Sequence, residues 1–180
     1  METFTGVKSL VNNPDFDEQR RRCLAAFDLG AIDAPLRDII EAFTRLACCY
    51  TLQCCWGHFL PGGAGDAHTL ALLPASPAAD SVRYRIAYLA LCVENTAAGR
   101  GLLSDLGGIV ALEPDCIQLG CAEWFWDRVV VNSYALQVEP VRYQNRDEVM
   151  LSHPEALHVQ AVRDEFFAAV REILRCWSVL

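Results

Sequence analysis

The stretch from Pro154 to Trp177 constrains the fold more than any other. Leu157, Val162, Phe166, Val170, Ile173 and Leu174 recur there at helical spacing, with polar residues between them. Ser152 or His153 can cap this helix, and Pro154 suits its first turn. A long helix with one apolar face needs a broad apolar surface to lie on, and the sequence offers a sheet. Val131 to Val141 alternates, with Tyr134, Leu136 and Val138 on one face and Ser133, Ala135, Gln137 and Glu139 on the other. Val82 to Val93 alternates at first and then turns wholly apolar, as expected of one strand entering the centre of a sheet. The pattern predicts an α+β domain, a mixed or antiparallel sheet flanked by helices, spanning residues 14–180.

Residues 1–13 show no periodicity and read as a flexible N-terminal arm. Asn13-Pro14-Asp15 starts a helix whose stop is Gly30. Asp33 is placed to cap a second helix carrying Leu36, Ile39, Ile40, Phe43 and Leu46 on one face. Cys48 to Cys55 is β-compatible, Pro61 to Asp66 is a loop, and His68 to Leu73 reads as a short edge strand. Asn95 or Thr96 opens a helix that ends at Gly107-Gly108, and Cys116 to Gly120 is a strand. Strand, helix and strand in that order suggest a crossover unit.

Composition excludes some classes. Of 180 residues, 53% are apolar and 21% charged, which argues for a packed core and against disorder. No apolar run reaches the roughly 18 residues of a membrane span. The N-terminus has no apolar signal region, so a cytoplasmic protein is expected, with the nine cysteines reduced and mostly packed. A net charge of −8 disfavours non-specific DNA binding. It leaves room for one docked tRNA or nucleoside, and a homodimer is compatible with it.

Residues 16–58 carry a further pattern. Phe16-Asp17-Glu18-Gln19-Arg20-Arg21-Arg22 begins a helix, Ile32-Asp33 opens a second, and Tyr50-Thr51, Cys55 and Gly57-His58 follow. This resembles the opening of the tRNA wybutosine-synthesizing methyltransferase family. In that family a basic F-x-x-x-[KR] helix and an I-D start precede an aromatic-Thr-Thr-Ser-Ser-Cys-Ser-Gly-Arg strand and turn. Thr51, Cys55 and Gly57 match. Leu52, Gln53, Cys54, Trp56 and His58 stand where the family has Thr, Ser, Ser, Ser and Arg. A weaker match continues through Leu91-Cys92-Val93, Leu102-Leu103 and Cys116 to Leu119. The resemblance implies AdoMet-dependent methyl transfer to a hypermodified guanosine in tRNA, with AdoMet as cofactor.

The residues themselves nominate a site. Gly57 permits a tight turn after a strand and sets Cys55 beside His58, a thiol–imidazole pair suited to nucleophilic or redox chemistry. Glu139 is the candidate acid or base, and Arg142 the anion contact. Tyr50, Thr51, Gln53, Trp56, Trp124, Trp126, Asn132 and Gln137 complete the expected ligand wall. The run Arg20-Arg21-Arg22 reads as a solvated helix face. No metal site is expected, because no C-x-x-C pair occurs and adjacent cysteines on a strand point to opposite faces. Three functions therefore compete: an RNA- or nucleoside-acting methyltransferase relative, a non-catalytic binding module, and a Cys/His thiol enzyme or redox sensor.

Overall fold

The structure is a computed structural model and describes residues 4–61, 70, 81–122, 126, 130–143 and 146–178. Its elements run β1 (Phe4–Thr5), α1 (Phe16–Ala25), α2 (Arg37–Arg45), β2 (Cys49–Cys55), β3 (His58–Pro61), β4 (Ser81–Arg85), β5 (Ala87–Val93), α3 (Ala97–Gly108), β6 (Ile117–Ala122), β7 (Ser133–Val138), β8 (Glu148–Ser152) and α4 (His153–Trp177). The strands form two antiparallel sheets, ordered β1-β6-β7-β5-β2 and β3-β4-β8. With helices packed beside these sheets, the class is α+β, as the sequence predicts.

Ser152 caps α4 by accepting from the Glu155 N–H, and Pro154 occupies its first turn. Val159, Val162, Phe166, Phe167, Val170 and Leu174 of α4 are buried in the main core. That core also takes Ile39, Ile40 and Phe43 of α2, Leu102 and Leu106 of α3, and Leu89, Leu91, Leu136 and Val138 of the larger sheet. The helix α1 packs against the opposite sheet face, through Phe16, Tyr50 and Cys92. β5 and β6, joined through α3, each pair antiparallel with β7 and so run parallel to one another with β7 between them. The expected crossover is present in this split form.

Several expectations need correction. Val82 to Val93 is two strands, β4 and β5, in different sheets, broken at Ile86. The backbone cause is visible in the burial pattern: Val82 and Tyr84 are buried in β4, whereas Ala87, Leu89 and Leu91 are buried in β5. The inward phase therefore shifts by one residue at the break. The first helix ends at Ala25 rather than Gly30, and Asp28 caps a separate 3-10 turn at Leu29–Ala31. The described residues before α1 are tied to the sheet at several points. Phe4 and Thr5 pair with β6, the Lys8 N–H donates to Cys121 Sγ, and Tyr134 Oη donates to the Lys8 carbonyl. Edge pairing of this kind uses backbone groups and leaves no apolar period to read. Of the expected loop from Pro61 to Asp66, Pro61 instead ends β3 and 62–66 lie outside the described residues, as does the edge strand at 68–73 apart from buried Leu70.

A geometric consequence of the two sheets positions everything below. β2 pairs with β5 and β3 pairs with β4, so the two strand pairs are one ribbon interrupted at Trp56-Gly57 on one strand and Ile86 on the other. We call this break the crease. Cys55 faces Tyr88 just before it and His58 faces Arg85 just after it.

Candidate functional site

Gly57 turns the chain at the crease with φ +86°. A Cβ there would lie 2.9 Å from the Ala87 Cβ and 3.2 Å from a Tyr84 ring carbon, so the turn requires glycine on two counts. It brings Cys55, at the end of β2, next to His58, at the start of β3. The third member comes from far away in sequence. The Asp33 carboxylate accepts the Trp56 N–H at 2.8 Å and lies 3.6 Å from His58 Nε2. One ligand-type atom from each of Asp33, Cys55 and His58 lies within 4.8 Å of the others. Asp33 stands at the N-cap position of a 3-10 turn, yet its side chain makes no capping bond there. The carboxylate serves the crease instead.

Burial and acidic neighbours act on the titratable groups at this point. Burial, followed by the charges of Cys55, Cys54, Asp147 and Asp33, pushes the Tyr88 phenol up to about 12. Burial, then Asp33 and Cys55, pushes the Cys54 thiol up to about 12. Beneath the turn sits a buried cation. Arg163, 1% exposed, donates to the Gly57 carbonyl at 3.4 Å and pairs with Asp164. Its guanidinium lies 4.8 Å from the Trp56 ring centre and 5.2 Å from that of Phe59.

The expected site residues divide. Cys55 and His58 are together. On β5, Tyr88 lies opposite Cys55 and also opposite Gln137 of β7, which in turn faces Gln118 of β6. Cys55, Tyr88, Gln137 and Gln118 thus form one polar row across four strands. Gln53 is exposed beside this row and accepts from Tyr88 Oη at 3.1 Å. Gln137 lies beyond Tyr88, about 10 Å from Cys55 at two strand spacings, and Glu139 lies farther still, two residues along the chain. Glu139 is fully buried, accepting from Gln137 Nε2 at 2.8 Å and from the Arg146 N–H at 3.0 Å. It anchors the chain after β7 and is not placed as the acid or base of Cys55.

Other expected ligand residues are built into the scaffold. Trp56 stacks on Phe167 of α4 at 4.5 Å in the core. Tyr50 packs on Phe16 and donates its hydroxyl to Gln19. Thr51 pairs with Leu91 and projects to the core face, opposite to Cys55, and its buried hydroxyl has no hydrogen-bond partner among the described residues. Asn132, at φ +64°, clasps the N–H and carbonyl of Val11 with its amide. Trp126 meets Tyr134 edge-on and lies under the Lys8 ammonium. Arg142 pairs with Glu155 in a cleft of about 900 Å³ that also contains Cys116 and His158, and shares no lining residue with the crease. Trp124 lies outside the described residues.

Arg20 also departs from the reading of a solvated face. Arg21 and Arg22 are exposed and pair with Glu18, but Arg20 donates to the carbonyls of Thr44, Leu46 and Cys49. It closes the connection from α2 to β2. Sequence reasoning took Asp33 for a cap and passed over Arg163 and Tyr88. Only Asp33 left a signal, in the Ile32-Asp33 pair.

Fold and site together define an α+β protein with a carboxylate–thiol–imidazole cluster at the break between two antiparallel sheets. The chain is similar in structure to PH1069 protein from Pyrococcus horikoshii, at TM-score 0.51 and 10% identity over 91% of this chain and 92% of that one. A second PH1069 structure from strain OT3 aligns at TM-score 0.51 and 12% identity, over 92% and 94%. These likenesses show a shared fold. No family model and no curated protein matches the chain by sequence.

Proposed function

We propose that this chain is a nucleoside- or RNA-modifying protein of the kind its N-terminal third resembles, the tRNA wybutosine-synthesizing methyltransferases, with its site at the crease. One observation carries the reading. The resemblance rests on separated stretches, Ile32-Asp33 and Thr51 to His58, and Asp33 of the first bonds Trp56 and faces His58 of the second. A contact made only for packing would join apolar groups, whereas this one gathers three chemically competent side chains.

AdoMet, when bound, supplies a methyl group on a sulfonium. The carboxylates of Asp33 and Asp147 suit a cationic ligand, and Asp33, Gln53 and Tyr88 are the residues here that would hold it. Where the family has Arg, His58 provides an imidazole beside the Asp33 carboxylate. Trp56 replaces a family hydroxyl and is committed to the core, so substrate recognition must differ from the family's. The nine cysteines, expected to be reduced, fit a reducing compartment such as the cytoplasm. None of the described helices is long and apolar enough to cross a membrane.

Calorimetry of the full chain with AdoMet, and then with tRNA, tests the reading. Saturable heat with AdoMet that Asp33→Asn abolishes is expected; silence with both ligands refutes it. A binding module without turnover would give the same heat and no methylated product. A thiol enzyme or redox sensor is the second reading, favoured by the Cys55–His58 neighbourhood. Ultraviolet titration of the parent against Cys55→Ser separates the two, since a thiol enzyme needs Cys55 itself to ionise below about pH 8.

A further inference from the structure

We propose that the crease binds a single zinc-like divalent cation through Asp33, Cys55 and His58. The expectation of no metal rested on the cysteines, which as strand neighbours cannot chelate together. That argument stands for Cys54, whose partner Leu89 places it on the core face. The cluster uses only one cysteine. Its other ligands come from the next strand and from the 3-10 turn that precedes α2, a spacing with no sequence signature.

Geometry favours chelation. Zinc bonds of about 2.0–2.3 Å place the donors of a tetrahedral centre about 3.3–3.8 Å apart. Asp33 Oδ2 and His58 Nε2 already lie 3.6 Å apart, and all three donors fall within 4.8 Å. The remaining contraction is about 1 Å, within reach of side-chain rotation. The donors also have an outer layer that orients them. The Trp56 N–H fixes the Asp33 carboxylate, and the Gly57 N–H donates to Cys55 Sγ at 3.4 Å.

Charge and ligand type then choose the ion. A thiolate and a carboxylate together neutralise a divalent cation, and the paired Arg163–Asp164 below the turn adds no net charge. A sulfur, nitrogen and oxygen set suits zinc and disfavours magnesium and calcium, which take oxygen alone. The side chains of Asp33 and His58 keep 26% and 14% of their surface exposed. Three protein ligands with one exposed side leave a coordination position for water or a ligand, as in catalytic rather than structural zinc sites.

The experiment needs neither AdoMet nor RNA, so its failure leaves the preceding proposal standing, and the reverse. The full chain, reduced and stripped with chelator, is titrated with Co²⁺ and then with Zn²⁺. One equivalent of Co²⁺ should produce a thiolate charge-transfer band and four-coordinate visible bands that Zn²⁺ bleaches. Cys55→Ser should weaken binding at least about 100-fold, the upper range for loss of an outer-shell partner. Asp33→Asn, which keeps an acceptor for the Trp56 N–H, and His58→Asn should each weaken it at least about tenfold. Cys54→Ser should not change it. Zn²⁺ should also protect Cys55 from iodoacetamide, as read by peptide mass. Absence of the band, or a band that survives both Cys55→Ser and Asp33→Asn, overturns the proposal.

Discussion

Asp33 holds a position that elsewhere would end the description at helix capping. Its carboxylate instead satisfies the Trp56 N–H, one of the backbone donors freed where the ribbon breaks. Asp33→Ala should therefore cost about 1–3 kcal/mol, while Asp33→Asn should stay within about 1 kcal/mol of the parent, both read from urea denaturation. Gly57 makes a stronger demand. Alanine there meets both an unfavourable φ and the Ala87 side chain, so Gly57→Ala should lose about 2–4 kcal/mol in the same assay. At this scale the sequence was half legible. The need for Gly57 follows from a glycine between a strand and a histidine. The role of Asp33 does not, because its partner is a backbone N–H far along the chain, and backbone donors have no residue type to recognise.

Among the elements, α1 shows how a basic run divides its work. Three consecutive arginines span most of a helical turn, so they cannot share one environment. Arg21 and Arg22 reach water, and Arg20 reaches three carbonyls left over by the end of α2 and the start of β2. Arg20→Ala should cost about 2–3 kcal/mol by denaturant unfolding, and Arg21→Ala less than about 0.5 kcal/mol. The long α4 was legible because its stripe is long and periodic. The division of Val82 to Val93 was not, since no glycine or proline marks Ile86. Only the one-residue shift of the buried positions reveals it, and an apolar run hides such a shift. β8 lacks a strong pattern because Met150 is exposed among alternating neighbours, and it emerges only through pairing with β4.

For the whole molecule, buried acids that stay protonated set the alkaline limit. Burial holds the thiols of Cys54 and Cys92 up at about 12 and about 11, against an ordinary 9.0. It holds the phenols of Tyr88 and Tyr134 up at about 12, against an ordinary 10.0. The unfolded chain would release these protons first. Their contribution is therefore complete below pH 9.0 and is lost as pH rises towards 12. Thermal melts under reducing conditions should show a midpoint insensitive to these groups up to about pH 9, declining above it. The α+β class was legible in the alternation of two periods, whereas the number of sheets depends on pairings between distant strands.

The interrupted ribbon has a mechanical consequence. Cys55 belongs to one sheet and His58 to the other, so any molecule gripping both side chains spans a joint, like a pin through two leaves. Such a pin would restrain the swing of one leaf against the other without altering either. Occupancy should then appear as slower amide exchange at Ile86, whose N–H reaches the Asp147 carbonyl at the joint, while the interiors of β5 and β7 exchange as before.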